Sequence, residues 1–236
     1  MSTFSEEIVR RKLSDEVFDR LRRMITSGEL GPGDAMPSER ELMERFRVGR
    51  PAIREAMQAL ANMGLLTISQ GERAKVRQLT ARSLIHQVDA AAQIMLSTSP
   101  DSLAHLREAR RFFERGMVRE AALHAGEADV ARLRANLARQ RQCLSDAASF
   151  IDYDTRFHID IAAISKNPIF EAVSEAMLGW LRKYHTDLLL WLGQEHLTLA
   201  EHEEIIGRIA AHDAEGAERA MVKHLDRTNA PAPRAA

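Results

Sequence analysis

The chain of 236 residues has room for one large domain or two ordinary ones, and 45% hydrophobic with 28% charged residues supplies a buried core and argues against disorder. Its longest apolar stretches, near 90–96 and 188–192, are too short to cross a bilayer, and 1–10 has no apolar signal region. Cys143 is the one cysteine, so no internal disulfide can form; few aromatics disfavour an all-β fold, and a helical cytoplasmic protein with no membrane partner is expected.

In chain order, 12–27 places Leu13, Val17, Leu21, Met24 and Ile25 on one stripe and predicts a helix stopped by Gly28. After the turn cluster Gly31-Pro32-Gly33, Ser38 and Glu41 have the spacing of a capping box, which opens a second helix carrying Leu42 and Phe46 inward. Pro51 marks the first turn of a third helix with Ile53, Ala56, Met57 and Leu60 on its inner face, ended by Gly64. Residues 65–69 and 74–77 read as short strands joined by Gln70-Gly71-Glu72-Arg73. Three helices and a hairpin in this order predict a winged helix-turn-helix over 10–78.

A connection is expected at 78–82, and from 83 the pattern is helical almost throughout. Separate candidates cover 102–125, 128–145, 147–164, 168–192, 197–211 and 214–227, with breaks at 126–129, 165–168 and 212–213 and a frayed tail over 229–236. The predicted fold is mostly α: an N-terminal winged helix-turn-helix and a C-terminal all-helical bundle over 83–228. Charge divides the same way. The first 80 residues hold 14 Lys and Arg against 12 Asp and Glu, the remainder is net acidic, and all nine histidines lie in it.

Arg50 and Arg54 are one turn apart at the start of the third helix, opposite its apolar face, where cationic side chains can reach base edges and phosphates. Arg40 and Arg47 sit near the same duplex, and Gly71 at the hairpin tip lets backbone approach a groove beside Arg73 and Lys75. Solvated faces of small helices would give the same spacing. The stretches Pro37-Ser-Glu-Arg-Glu-Leu42 and Val48-Gly-Arg-Pro-Ala-Ile-Arg-Glu-Ala56, with Leu60 and Gly64-Leu65, resemble the winged helix of the GntR family. That resemblance implies operator DNA as partner and DNA contacts at Arg40, Arg50, Arg54 and Gly71. Gly49 stands where the family usually has Ser, and the wing reads Gly71-Glu-Arg-Ala-Lys75 rather than a Gly-x-Gly turn, with Glu72 bringing an anionic group toward phosphate.

Asp154 and His158, at i and i+4, share one helix face, and His202 and His224 lie on two later helices. Three imidazoles and a carboxylate suit zinc or a similar divalent cation, although each histidine alone is as readily an ordinary core or surface residue. Arg110-x-x-Phe113-Glu114, Val118-Arg-Glu-Ala-Ala122, Asp154-x-x-Phe157-His158, Asn167-Pro168, His202 and His224 are similar to the FCD effector domain of the FadR branch of that family. The resemblance implies a bundle of six or seven helices, a metal held by Asp154, His158, His202 and His224, and Arg110 paired with an effector carboxylate. Glu114 and Asn167 match motif positions where ligand contact competes with helix packing or a turn. His86, His105, His124, His185, His196 and His212 are read as ordinary.

Further pieces, including Gly71-Glu-Arg-Ala74 and Asn167-Pro-Ile-Phe170 with Trp180-Leu181, resemble regulators of sialic-acid catabolism within that branch. The resemblance implies a homodimeric repressor released from its operator by N-acetylneuraminate or another sugar acid. A uronate, hydroxy acid or fatty-acid derivative is the alternative effector. A metal-dependent enzyme with Glu114 as general base, and an architectural DNA-binding protein whose helical half only dimerises, are the readings from other classes.

Overall fold

A computed structural model describes residues 11–99, 101–184 and 194–229, with His86, Tyr184, Thr228 and Asn229 described by their backbone alone. The expectations above for 1–10, 188–192, 230–236, His185 and the His86 side chain lie outside the described residues. The chain divides into two compact units, Met1–Thr80 and Ala81–Ala236.

The first unit has helices α1 (Leu13–Thr26), α2 (Glu39–Phe46) and α3 (Arg50–Asn62), then strands β1 (Leu66–Thr67) and β2 (Lys75–Val76). The capping box at α2 forms: Ser38 Oγ accepts the Glu41 N–H at 3.2 Å, and Glu41 Oε2 accepts the Ser38 N–H at 2.6 Å. Arg47 closes α2 in the left-handed region (φ 55°), and Gly49 caps α3 with Pro51 in its first turn, where a missing N–H costs nothing. Val17 and Leu21 of α1, Leu42 of α2 and Ile53 and Leu60 of α3 meet in a closed core. Ser14, not Leu13, joins the buried face of α1.

The strands are shorter than the sequence suggests, with Leu66 opposite Val76 and Thr67 opposite Lys75 in an antiparallel pair. Lys75 also bridges to Ala35, so the segment after the Gly31–Gly33 turn adds a rung to the hairpin. Gly71 at the tip has φ 79°, a conformation that side-chain-bearing residues rarely adopt.

The second unit is all helical among the described residues: α4 (Ala81–Thr98), α5 (Ser102–His124), α6 (Glu127–Gln142), α7 (Ala147–Ala163), α8 (Pro168–Tyr184), α9 (Glu195–Ala210) and α10 (Ala214–Asn229). The mostly-α class with a winged N-terminal unit is observed. Several boundaries differ from expectation: α6 ends at Gln142 rather than 145, and α9 begins at Glu195 rather than 197. Helix α4 starts at Ala81, inside the expected connection, because Leu79 and Thr80 lead straight into a run without Gly or Pro. Helix α6 starts at Glu127, inside an expected break, because the Asp129 carboxylate accepts the Gly126 N–H at 3.1 Å and caps it.

Helix α5 packs along α10, α7 and α9, and α6 packs against α7 and α9. Phe157, Leu133, Ile161, Ile205 and Met221 fill the space between them, each at most 1% exposed. The four helices α5, α7, α9 and α10 therefore turn a common interior face toward one another. No helix among the described residues is long and apolar enough to cross a membrane.

Candidate DNA-reading face and metal and effector site

In the first unit Arg40, Arg50, Arg54 and Gly71 are all solvent-exposed. Arg50 and Arg54 are one turn apart on α3 and exposed, while Ile53, Ala56, Met57 and Leu60 of the same helix are buried. Glu39, at the start of α2, stands between them: Oε1 accepts the Arg54 Nε–H at 2.7 Å, and Oε2 lies 3.6 Å from Arg50 Nε. Glu72, the anionic wing residue, lies 3.7 Å from Lys75. Spacing along the chain gives no sign of the Glu39 contact, because the partners are 15 residues apart across a turn.

In the second unit Asp154, His158, His202 and His224 converge. One donor atom from each lies within 4.8 Å of all the others, on the scale of two metal–ligand bonds, roughly 4 Å across. Helix α7 supplies Asp154 and His158, α9 supplies His202 and α10 supplies His224. All three imidazoles are at most 2% exposed. Each is braced through Nδ1. Glu114 Oε2 lies against His158 Nδ1, Gln140 Oε1 is 3.0 Å from His202 Nδ1, and Glu201 Oε2 is 2.8 Å from His224 Nδ1. A carboxylate or amide oxygen only accepts, so His202 and His224 donate through Nδ1–H and keep Nε2 as an acceptor, whereas neither His158 Nδ1 nor Glu114 Oε2, though in contact, has a hydrogen-bond partner among the described residues.

Among the described residues, Nε2 of His158 and of His202 is buried without a hydrogen-bond partner. His202 Nε2 lies 3.4 Å from Asp154 Oδ1, and His158 Nε2 lies 3.9 Å from Asp154 Oδ2. Buried ring nitrogens that face a carboxylate without a hydrogen bond are costly unless a cation sits there. The donor set fits a metal ion on this ground, and the cluster could hold one.

The bracing residues are themselves held. Arg110 on α5 donates its Nε–H to Glu114 Oε1. Burial alone would raise the Glu114 carboxyl, but Arg110 and His158 beside it outweigh that and hold it down at about 2. Arg227 grips both oxygens of Glu201 at 2.6–3.0 Å and is anchored by Gln194 and Thr198; with His224 it overcomes burial and brings Glu201 to about 2. Gln140, fully buried, also donates Nε2–H to Asp154 Oδ1 at 3.4 Å, and so ties one α6 side chain to two members of the cluster. Phe157 stacks on His202 with ring centroids 3.9 Å apart. Burial, then the positive neighbours, pushes His202 far below the ordinary histidine range, and burial lowers His224 against the pull of Glu201.

Arg110 and Glu114 thus belong to the cluster, while Asn167 does something else: its Oδ1 accepts the Ile169 N–H at 3.0 Å and caps α8. His105, His124 and His196 are exposed, and His212 reaches the Ala122 carbonyl at 2.8 Å. Gln140, Glu201 and Arg227 carry no motif that marks them in the sequence. Only the position of Glu201 beside His202 offers a signal, and there it is misleading, because Glu201 serves His224.

Residues 13–76 match the model for bacterial regulatory proteins of the gntR family, and residues 105–227 match that for the FCD domain. The chain belongs to the GntR family and carries an FCD domain. The relative named HTH-type transcriptional repressor NanR of Edwardsiella tarda (strain FL6-60) is 42% identical over 222 residues, covering 93% of this chain and 85% of that protein. The protein of the same name from Escherichia coli (strain K12) is 40% identical over 231 residues, covering 96% and 86%. Among solved structures, a Streptococcus agalactiae GntR protein superposes with a TM-score of 0.63 at 22% identity, over 91% of this chain and 98% of that one. At that identity the likeness shows the fold alone.

Proposed function

We propose that this GntR-family chain is a transcriptional repressor that grips operator DNA as a homodimer and releases it when a sugar acid, N-acetylneuraminate foremost, binds in the helical unit. The name repressor comes from relatives at 40–42% identity, and the effector class from the resemblance to regulators of sialic-acid catabolism. The observation that carries the effector reading is the pair of buried, unpartnered Nε2 atoms of His158 and His202 beside Asp154, with the Arg110 guanidinium joined to the same cluster through Glu114.

Asp154, His158, His202 and His224 would hold a divalent cation, zinc by the donor set, and such a cation offers an electrophilic centre to an acid's oxygen. Glu114 takes the Nε–H of Arg110, which leaves the two Nη groups to meet a carboxylate edge-on. Four helices contribute to this cluster, so a ligand that joins them can change how they pack. An enzyme would need a general base at this spot. Glu114, the candidate that the motifs offer, has Oε1 engaged by Arg110 and Oε2 against His158, which favours binding over turnover.

On the DNA side, one winged helix makes few base contacts, and pairing two doubles them. Arg50→Ala and Arg54→Ala are each expected to cost about 1–3 kcal/mol of operator affinity in fluorescence anisotropy; unchanged affinity in both would remove α3 from the reading role. On the metal side, Gln140→Leu is expected to weaken zinc retention about 10- to 100-fold against a chelator, since His202 and Asp154 both lose their brace. Retention equal to the wild type would show that they stand unaided.

The effector class is tested by thermal denaturation of the zinc-loaded full chain with N-acetylneuraminate, glucuronate and, as control, a neutral sugar. A sugar acid at about 100 times its Kd is expected to add about 2.7 kcal/mol, a rise of several degrees, and the neutral sugar nothing. No rise with either acid would overturn the effector class.

A further inference from the structure

Helix α3 presents two guanidinium groups four residues apart on the same exposed face, and like charges so placed repel. Each has rotamers enough to lie along the helix or swing away from it, and an unheld arginine spends entropy when it docks on a base. Glu39 answers both problems from a different helix. One of its oxygens takes the Nε edge of Arg54 and the other faces the Nε edge of Arg50. The bidentate match to the O6 and N7 of guanine uses the outer Nη groups of arginine, and neither contact involves those.

The stability of the fold does not explain the arrangement. The side chains of Arg50, Arg54 and Glu39 are 58%, 65% and 33% exposed, and ion pairs so exposed contribute little. By charge alone, a carboxylate on this surface repels phosphate and weakens DNA binding of every kind.

We propose that Glu39 is a positioning residue for operator specificity: it fixes Arg50 and Arg54 with their outer edges turned to the bases, and gives up general DNA affinity to gain discrimination. This rests on the reading of α3 as the helix that meets the bases. The consequence is an unusual sign pattern. Glu39→Gln keeps the shape of the side chain and removes a negative charge from a DNA-facing surface, so binding to arbitrary DNA rises while binding to the operator falls. A merely structural residue would move both affinities the same way.

The test uses full-length protein and two duplexes: one selected by the wild type from a random-sequence pool, and a scrambled duplex of the same length and composition. Affinities for both are measured by anisotropy at several salt concentrations, with Arg50→Ala and Arg54→Ala alongside. Glu39→Gln is expected to lower the ratio of selected to scrambled affinity by at least about fivefold, the lower end of one lost bidentate contact, with scrambled binding equal or stronger and the thermal midpoint unchanged. A ratio within twofold of the wild type while the two arginine variants lose selected binding would overturn the positioning role and leave the reading helix standing. Full selected binding in both arginine variants would overturn the positioning role together with the reading on which it rests.

Discussion

Alanine at both His158 and His202 is expected to take bound divalent metal from about one ion per chain to none by elemental analysis, after equal dialysis against zinc-free buffer. The two residues bring the buried, unpartnered Nε2 atoms, and without them Asp154 and His224 offer only two donors. Metal that binds only the folded bundle stabilises it by mass action, about 4 kcal/mol at a thousandfold excess over Kd. The zinc-loaded wild type is therefore expected to melt on the order of 10 °C above the double variant. In excess chelator the gap should narrow, because only the wild type has an ion to lose. Full occupancy in the double variant would place the metal elsewhere.

Substitution of Arg110 is expected to raise the sugar-acid concentration needed for release by about 10- to 100-fold, the scale of a lost charge-assisted fork. The structure decides which substitution reads this cleanly. Arg110 neutralises Glu114, which in turn lies against His158, and all three are buried. Arg110→Ala would leave Glu114 as an uncompensated buried charge, at about 3–5 kcal/mol, and would disturb a metal-cluster residue as well. Arg110→Lys keeps the positive charge toward Glu114 and loses only the planar fork. DNA binding and zinc content should stay at wild-type levels in Arg110→Lys while the ligand response weakens. A wild-type response would mean that the acid does not sit at Arg110.

Much of this was legible in the sequence because it is local. The capping box at Ser38 and Glu41, Gly71 at the wing tip and the i, i+4 pair of Asp154 and His158 each depend on a few neighbouring residues, and each forms as its spacing implies. The convergence of His202 and His224 on that pair was expected from resemblance rather than spacing, since 22 residues between two helices say nothing of distance. What stayed hidden is long-range. Gln140 reaches His202 across 62 positions, and Glu201 serves not its neighbour but His224, on the next helix. The cap that Asn167 makes is local, and spacing could have suggested it: the residue precedes Pro168 at the start of α8, where an Asn oxygen accepts from the first turn. Glu39 appeared in the sequence only inside the Pro37-Ser-Glu-Arg-Glu-Leu42 stretch, with nothing to mark it as the partner of two arginines on the next helix.

The central claim, that an acid bound among the buried histidines controls the grip on DNA, is tested most directly by one titration. A fluorescent duplex selected by the wild type is saturated with zinc-loaded protein, and N-acetylneuraminate is added while anisotropy is followed, with the chelator-treated protein in parallel. Allosteric couplings of 1–3 kcal/mol correspond to about 5- to 150-fold weaker binding at saturating ligand. Release on that scale from the zinc-loaded protein, and none from the chelated one, is the expected result. Equal release with and without metal, or undiminished DNA binding with every sugar acid at saturating concentration, would contradict it.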